Sequence, residues 1–150
     1  MQIVANNKKA FFEYFILEKI EAGIQLTGSE VKSLRTGKVS IKEAYAETKK
    51  GQLFLVNADI SNYDKAASYS KIESKRVRKL LVHKKEISKL QGKIEKEGMT
   101  IIPLKIYFNN KGIAKIEIAI AKGKKLYDKR ESKKKRDWNI QKKRLLKNIN

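Results

Sequence analysis

A mainly β fold is predicted for this chain: a small antiparallel barrel with a few helices and a basic C-terminal tail. Three observations predict it. Thr100 to Phe108 and Ile113 to Ala121 alternate apolar and polar residues on either side of the turn Asn109-Asn110-Lys111-Gly112. Phe11 to Leu26 is rich in aromatic and branched residues, the composition of a long strand. After Ala121 the composition changes, and residues 122–150 hold 13 Lys or Arg against 3 Asp or Glu.

In chain order, Phe11 to Leu26 is expected as one long strand, with Ala22-Gly23 marking a bend or bulge. Thr27 to Gly37 reads as a short helix. Thr27 or Ser29 can cap its start, Glu30 suits its positive end, and Gly37 can close it. Ala44 to Thr48 and Leu53 to Val56 form a hairpin around Lys49-Lys50-Gly51-Gln52. The polar stretch from Ser61 to Ser74, with Tyr63 and Tyr69, has no clear period and is expected as a loop. Arg76 to Val82 fits strand or helix equally. Lys84 to Glu97 is the best helix: Ile87, Leu90 and Ile94 share a face, and Gly98 ends the run. In Thr100 to Phe108, Ile102, Leu104, Ile106 and Phe108 are expected on one face, and Pro103 argues for an edge or a bulge. In Ile113 to Ala121, Ala114, Ile116, Ile118 and Ile120 oppose Lys115, Glu117 and Ala119. Long strands with one core-facing helix suggest a closed or partly open barrel, of which the oligonucleotide-binding barrel (OB-fold) is the obvious member. The barrel is assigned to residues 1–121 and the tail to 122–150.

Charge speaks to partners. The chain of 150 residues has 36 Lys or Arg, 16 Asp or Glu and a net charge of +20. Half of that excess sits in the tail. Such a field attracts polyanions and releases their counterions. The tail holds too little apolar residue to offset backbone ordering at about 1–2 kcal/mol per residue. It is expected to be disordered when free. Lys133 to Lys147 contains no Gly or Pro, so it can turn helical once a polyanion neutralises it, with Trp138, Leu145 and Ile149 on one side.

Chemistry has little to work with. The absence of cysteine excludes disulfides, thiolate zinc sites and cysteine nucleophiles. No P-loop occurs, and the acidic pairs Asp59 with Asp64 and Glu95 with Glu97 do not form a two-metal cluster. The lone His83 reads as a structural or surface residue. No catalytic residue, metal site or cofactor is predicted. The N-terminus lacks the pattern of a secretory signal, and no apolar run approaches a membrane span, so a cytoplasmic protein is expected. RNA-binding features are stronger. Lys8-Lys9 precedes Phe11-Phe12; Arg76, Arg78 and Lys79 form a second basic group; Lys122-Gly123-Lys124-Lys125 forms a third. Cations contact phosphates and exposed aromatics stack on bases. Core packing is expected for at least two of Phe11, Phe12, Tyr14 and Phe15.

Three stretches carry a resemblance. They are Asn7-Lys8-Lys9-Ala10 with Glu13-Tyr14-Phe15-Ile16; Gly28-Ser29-Glu30-Val31-Lys32-Ser33-Leu34-Arg35-Thr36-Gly37-Lys38; and Ala121-Lys122-Gly123-Lys124-Lys125-Leu126-Tyr127-Asp128-Lys129-Arg130. Arg78-Lys79-Leu80-Leu81 with Glu86 and Leu90 adds a fourth. In that order, from about Asn7 to Asn148, the chain resembles the bacterial SsrA-binding protein family, also called small protein B. The resemblance implies an OB-fold barrel that binds transfer-messenger RNA at the elbow of its tRNA-like domain. It implies delivery to ribosomes stalled without a stop codon, in trans-translation, by a protein that is a monomer in the RNA complex and no enzyme. The barrel stands in for an anticodon arm, while the tail reaches the decoding centre and message channel of the small subunit and turns helical. It implies RNA-binding roles for Asn7 and Glu30, with Lys8, Lys9, Lys32, Arg35, Arg76, Arg78 and Lys79 in or beside the matching motifs. Lys122, Gly123, Lys124, Lys125, Tyr127, Asp128, Lys129, Arg130 and Trp138 match the decoding-site segment. Tyr127 and Phe12 stand where many relatives carry histidine. The alternative reading is a structural ribosomal protein or general RNA chaperone.

If phosphate neutralisation dominates, log affinity for RNA falls linearly with log salt, with a slope of about −0.7 to −0.9 per contact. A filter-binding series from 50 to 400 mM salt measures it, and a flat response would contradict the electrostatic account.

Overall fold

The structure is a computed structural model. It describes residues 1–61, 73–124 and 126–148, the last stretch with side chains at residues 130 and 133–145. Most of the expected Ser61 to Ser74 loop, including Tyr63 and Tyr69, lies outside the described residues.

The elements are β1 (Gln2–Asn6), α1 (Lys9–Glu13), β2 (Tyr14–Ile24), α2 (Gly28–Arg35), β3 (Val39–Ser40), β4 (Tyr45–Lys49), β5 (Gln52–Val56), β6 (Asp59–Ile60), β7 (Arg78–Leu81), α3 (Lys84–Glu97), β8 (Thr100–Phe108), β9 (Ala114–Gly123) and α4 (Leu126–Asn148). The architecture is mainly β, as predicted. Antiparallel pairing runs from β8 through β4, β5, β7, β2 and β9 and returns to β8, so the large sheet closes into a ring. β1 adds to β8, and β3 pairs with β6 apart from the ring.

Closure places one apolar face inside. Ile20, Ala22 and Ile24 of β2, Leu53 and Leu55 of β5, Leu80 of β7, and Ile116, Ile118 and Ile120 of β9 form its walls. Leu34 of α2 and Leu90 of α3 are fully buried against them. α3 spans the residues its periodicity predicted, and Gly98 ends it with a left-handed φ of 63°. The β4–β5 turn places both Lys50 and Gly51 at positive φ, which matches the twist of a tight hairpin.

Four expectations change. First, Phe11 to Glu13 belong to helix α1, not to the long strand. Ala10 on that helix is buried against Ala119 and Ala121, Ile102 and Leu104 in a second apolar cluster outside the ring. Small residues on β9 let the helix backbone approach. Second, the irregularity in β2 lies between Ile16 and Glu18, not at Ala22-Gly23. Gly23 serves close approach: a Cβ there would stand 3.2 Å from Leu81 Cβ. Third, β8 does not keep one face. Its register shifts between Pro103 and Lys105. Ile106 and Phe108 therefore point into the main core with Ile101, while Ile102 and Leu104 join the outer cluster. Proline has no N–H to pair, and an extra residue reverses the pleat. Fourth, β9 continues to Gly123: Lys122 pairs with Phe15 and Gly123 with Tyr14. Those two residues are barrel wall rather than tail. β1 had no counterpart in the sequence reading, and Arg78–Leu81 resolves as strand.

α4 runs from Leu126, well before the expected Lys133. Its described apolar side chains, Trp138, Ile140 and Leu145, are exposed. Among the described residues no helix is long and apolar enough to cross a membrane.

Leu90 is the fully buried anchor of α3, whereas Leu17 of β2 is 55% exposed. Leu90→Ala is expected to cost about 2–5 kcal/mol, and Leu17→Ala less than about 0.5 kcal/mol. Urea unfolding of both variants measures the contrast.

Candidate RNA interface

The stretch from Glu30 to Arg35 lies on α2 and divides into two faces. Leu34 and Val31 pack on the core, and Ser33 is buried with its hydroxyl donating to Ser61 O at 2.5 Å. Lys32 and Arg35 face solvent. Glu30 sits between these roles. It closes a capping box with Thr27: the Glu30 N–H donates to Thr27 Oγ1 at 3.2 Å, and the Thr27 N–H donates to Glu30 Oε1 at 2.9 Å.

The same carboxylate is the centre of a buried ion cluster. Arg76 Nη2 donates to Glu30 Oε1 at 2.6 Å, and Arg78 Nε donates to Glu30 Oε2 at 2.6 Å. Arg78 is fully buried, and its other donors reach the carbonyls of Ala58 at 2.8 Å, Arg76 at 3.0 Å and Ser74 at 2.9 Å. Burial opposes the charge on Glu30, but hydrogen bonds from Arg76, the Thr27 N–H and Arg78 outweigh it and hold the carboxyl below the usual glutamate range. Burial likewise draws Arg78 below the ordinary arginine value, and Glu30 acts against that pull. An arginine titrates far above neutrality, so it remains charged.

This geometry sorts the expected binding residues. Arg78, with no exposed surface, cannot meet a phosphate; it holds β7, the segment at Ala58 and the carboxylate together. Glu30 is equally hidden. Arg76, whose side chain is 36% exposed, is the member of the cluster that reaches the surface. Lys79 is half-buried on β7, and Lys32 and Arg35 are exposed on α2. The Arg35 guanidinium lies 4.7 Å from the Phe108 ring centroid, so a core phenyl orients an exposed cation. No local sequence signal joins Arg35 to Phe108, which are 73 residues apart.

Asn7, Lys8 and Lys9 occupy a different corner, where β1 meets α1. Asn7 is buried, and its Nδ2 donates to Pro103 O at 3.0 Å and Ile41 O at 3.5 Å. Its Oδ1 has no partner among the described residues. Asn7 thus fixes the bulged part of β8 and also lines a cavity of about 90 Å³ with Tyr14, Lys42 and Tyr45. Lys8 and Lys9 are exposed at the start of α1. Near them Lys124 Nζ donates to Phe11 O at 3.3 Å and lies 5.0 Å from the Phe15 ring centroid. Phe11 and Phe15 are about half exposed, while Tyr14 packs against the outer cluster. Arg130 and Trp138 are exposed on α4. The side chains of Lys125, Tyr127, Asp128 and Lys129 lie outside the described residues. Among the described residues there is no group of three or more His, Cys, Asp or Glu able to hold a metal.

Residues 4–148 match the model of the family described as SmpB protein. The SsrA-binding protein of Nitrobacter winogradskyi is 56% identical over 97% of this chain and 92% of its own length. That of Bradyrhizobium sp. strain BTAi1 is 57% identical over 96% of this chain and 91% of its own. A solved chain described as "tmRNA-SmpB: a journey to the center of the bacterial ribosome" superposes with a TM-score of 0.69 at 46% identity, over 84% of this chain and 87% of that one.

The Glu30 cluster implies a definite pH response. Its folded pKa is depressed, so its stabilisation is complete above the ordinary value of 4.5 and is lost as pH falls through the lower folded value. Glu30→Gln should cost about 3–5 kcal/mol at pH 7, since it strands Arg78 in the interior. The gap from the native protein should narrow towards pH 3. Denaturant unfolding at the two pH values tests this; a gap that stays constant contradicts it.

Proposed function

The chain belongs to the SmpB protein family, and from that premise we propose that it binds transfer-messenger RNA and carries it to stalled ribosomes. There trans-translation releases the ribosome and tags the nascent peptide. The observation that carries this reading is the match of residues 4–148 to the family, with the tmRNA and ribosome named for the superposed structure. The charge supports it: +20 over 150 residues suits a protein that works between two RNAs.

In this reading the barrel receives the tRNA-like domain through two surfaces, the α2–β7 face and the β1–α1 corner. Arg76, Lys32, Arg35 and Lys79 make the phosphate contacts on the first, and Lys8 and Lys9 on the second. Glu30, Arg78 and Asn7 act one layer below, as positioning residues. Glu30→Ala therefore weakens RNA binding although it removes a negative charge, because Arg76 loses its anchor. The protein acts as an adaptor in the cytoplasm and leaves the chemistry to the ribosome.

The tail begins after Gly123 and enters the message channel. Its segment at Tyr127, Asp128, Lys129 and Arg130 meets the decoding centre, and α4 occupies the channel beyond it. Twelve positive side chains from Lys124 onward repel one another in the free protein and are neutralised by RNA walls, so order in the tail depends on where it sits.

Deleting residues 126–150 leaves β9 whole. Affinity for the tRNA-like domain should then fall by no more than roughly tenfold at physiological salt, while tag addition in a reconstituted translation reaction drops to background. Tyr127→Ala should harm tagging more than any single lysine change, since stacking contributes about 1–3 kcal/mol per base. Full-rate tagging by the truncated protein would falsify the tail's role. A wild-type protein that binds the tRNA-like domain no better than unrelated RNA would overturn the function itself.

A further inference from the structure

The seam between barrel and tail holds an arrangement that shares only Lys8 with the two proposed RNA surfaces and leaves its aromatic rings and Arg136 unassigned by them. α4 runs beside α1, and between them lies a cleft of about 230 Å³ lined by Lys8, Phe11, Phe12 and Arg136. Phe11 is 52% exposed, so part of its ring is open to solvent. Lys19 Nζ lies 5.6 Å from its ring centroid, and Lys124 Nζ is tied to its carbonyl at 3.3 Å. The cleft therefore combines two aromatic rings with cations on either side, Lys8 from the barrel and Arg136 from the helix. It lies far from the Glu30 cluster. α1 leads into β2 at Tyr14, whereas Gly23 and Ile24 at the far end of that strand pair with β7.

The geometry points to this cleft as a binding site for an unpaired RNA nucleotide, its base stacked on Phe11 and its phosphates between Lys8 and Arg136. The assignment rests on the RNA-binding reading above. The chemistry selects the ligand. A phenyl face accepts any base whose own stacking partners are gone, whereas a base inside a duplex offers no free face. The flanking cations match a phosphate backbone and would repel a basic peptide.

The cleft also couples two events. One wall belongs to α1, fixed on the barrel through Ala10, and the other to α4. A nucleotide held by both walls stabilises the helix against the barrel, and helix formation completes the site. By linkage each raises the affinity of the other equally.

The test uses the full-length protein and a fluorescently labelled eight-nucleotide single-stranded oligouridine, with a duplex of equal length as control. Phe11→Ala should weaken single-strand binding about tenfold, Phe11→Tyr should stay within about twofold, and duplex binding should not respond. Phe11→Ala combined with Arg136→Ala should lose less than the product of the two single effects, because both complete one site. In a Trp138→Phe background, Phe11→Trp should show fluorescence quenching on addition of the oligonucleotide. Equal single-strand binding by Phe11→Ala, or no quenching at saturating oligonucleotide, overturns the cleft. The same proteins are assayed against the tRNA-like domain of transfer-messenger RNA. If the native protein binds that domain while Phe11 proves immaterial to the single strand, the cleft fails and the function stands. If the native protein does not recognise that domain, the function fails first.

Discussion

A fully buried arginine is the constraint around which this molecule is arranged. Arg78 lies inside the wall of the barrel, where an unpaired cation would not be tolerated. Its charge must be met by a carboxylate, and its donors by oxygen atoms fixed in space. Glu30 meets the charge; carbonyls of Ala58, Arg76 and Ser74 take the remaining donors. Those partners come from α2, from the turn after β5 and from the segment leading into β7. Elements far apart in the chain are thereby held at one point. A pair of this kind adds less to stability than a good apolar contact of equal volume, because both ions lose their water. Its contribution is geometric: α2 can sit in one place, and Lys32 and Arg35 are presented from it at one angle.

The same carboxylate has two oxygens and serves two arginines, only one of which is buried. Arg76 takes Oε1 at 2.6 Å while its side chain stays partly in solvent. A carboxylate at the floor of a basic surface then makes physical sense. It fixes a cation whose long side chain would otherwise be mobile, and the conformational entropy is lost on folding rather than on binding. Phe108 does the same for Arg35 through its ring. The basic surface is thus partly preorganised, and the core supplies the organisation.

What could be read in the sequence, and what could not, follows from the range of the interactions. α3 is local: its period and length are written in fourteen consecutive residues, and its Gly98 cap in the next one. So are the capping box at Thr27 and Glu30 and the Lys50-Gly51 turn. The alternation of β9 is local too, and it held. β8 did not hold, because the bulge after Pro103 reverses its faces, and the place where a proline produces a shift is set by the neighbouring strands. α1 was missed for a similar reason. Five residues carry little helical signal, and what stabilises them is the patch at Ala119 and Ala121, more than a hundred residues later. Motif resemblance singled out a set of residues, but which of them are exposed and which are buried supports could not be read from it. Glu30, Arg78 and Asn7 look like surface residues in a linear sequence; only the packing shows that they face inward.

The tail is governed by the opposite condition. Where the barrel hides one arginine at the expense of a whole network, the described cations of α4 are exposed, and Trp138, Ile140 and Leu145 with them. On its surface Arg130 with Lys134 is a like-charged pair at i and i+4, which opposes the helix by about 0.2–0.5 kcal/mol. Lys133 with Asp137 acts in favour, so the two described pairs offset each other. A helix of 23 residues whose described apolar side chains are exposed gains little from packing, and its contact with the barrel is made through α1. Inside the barrel the buried Arg78 has its counter-charge built in through Glu30, whereas the described cations of α4 stand in solvent.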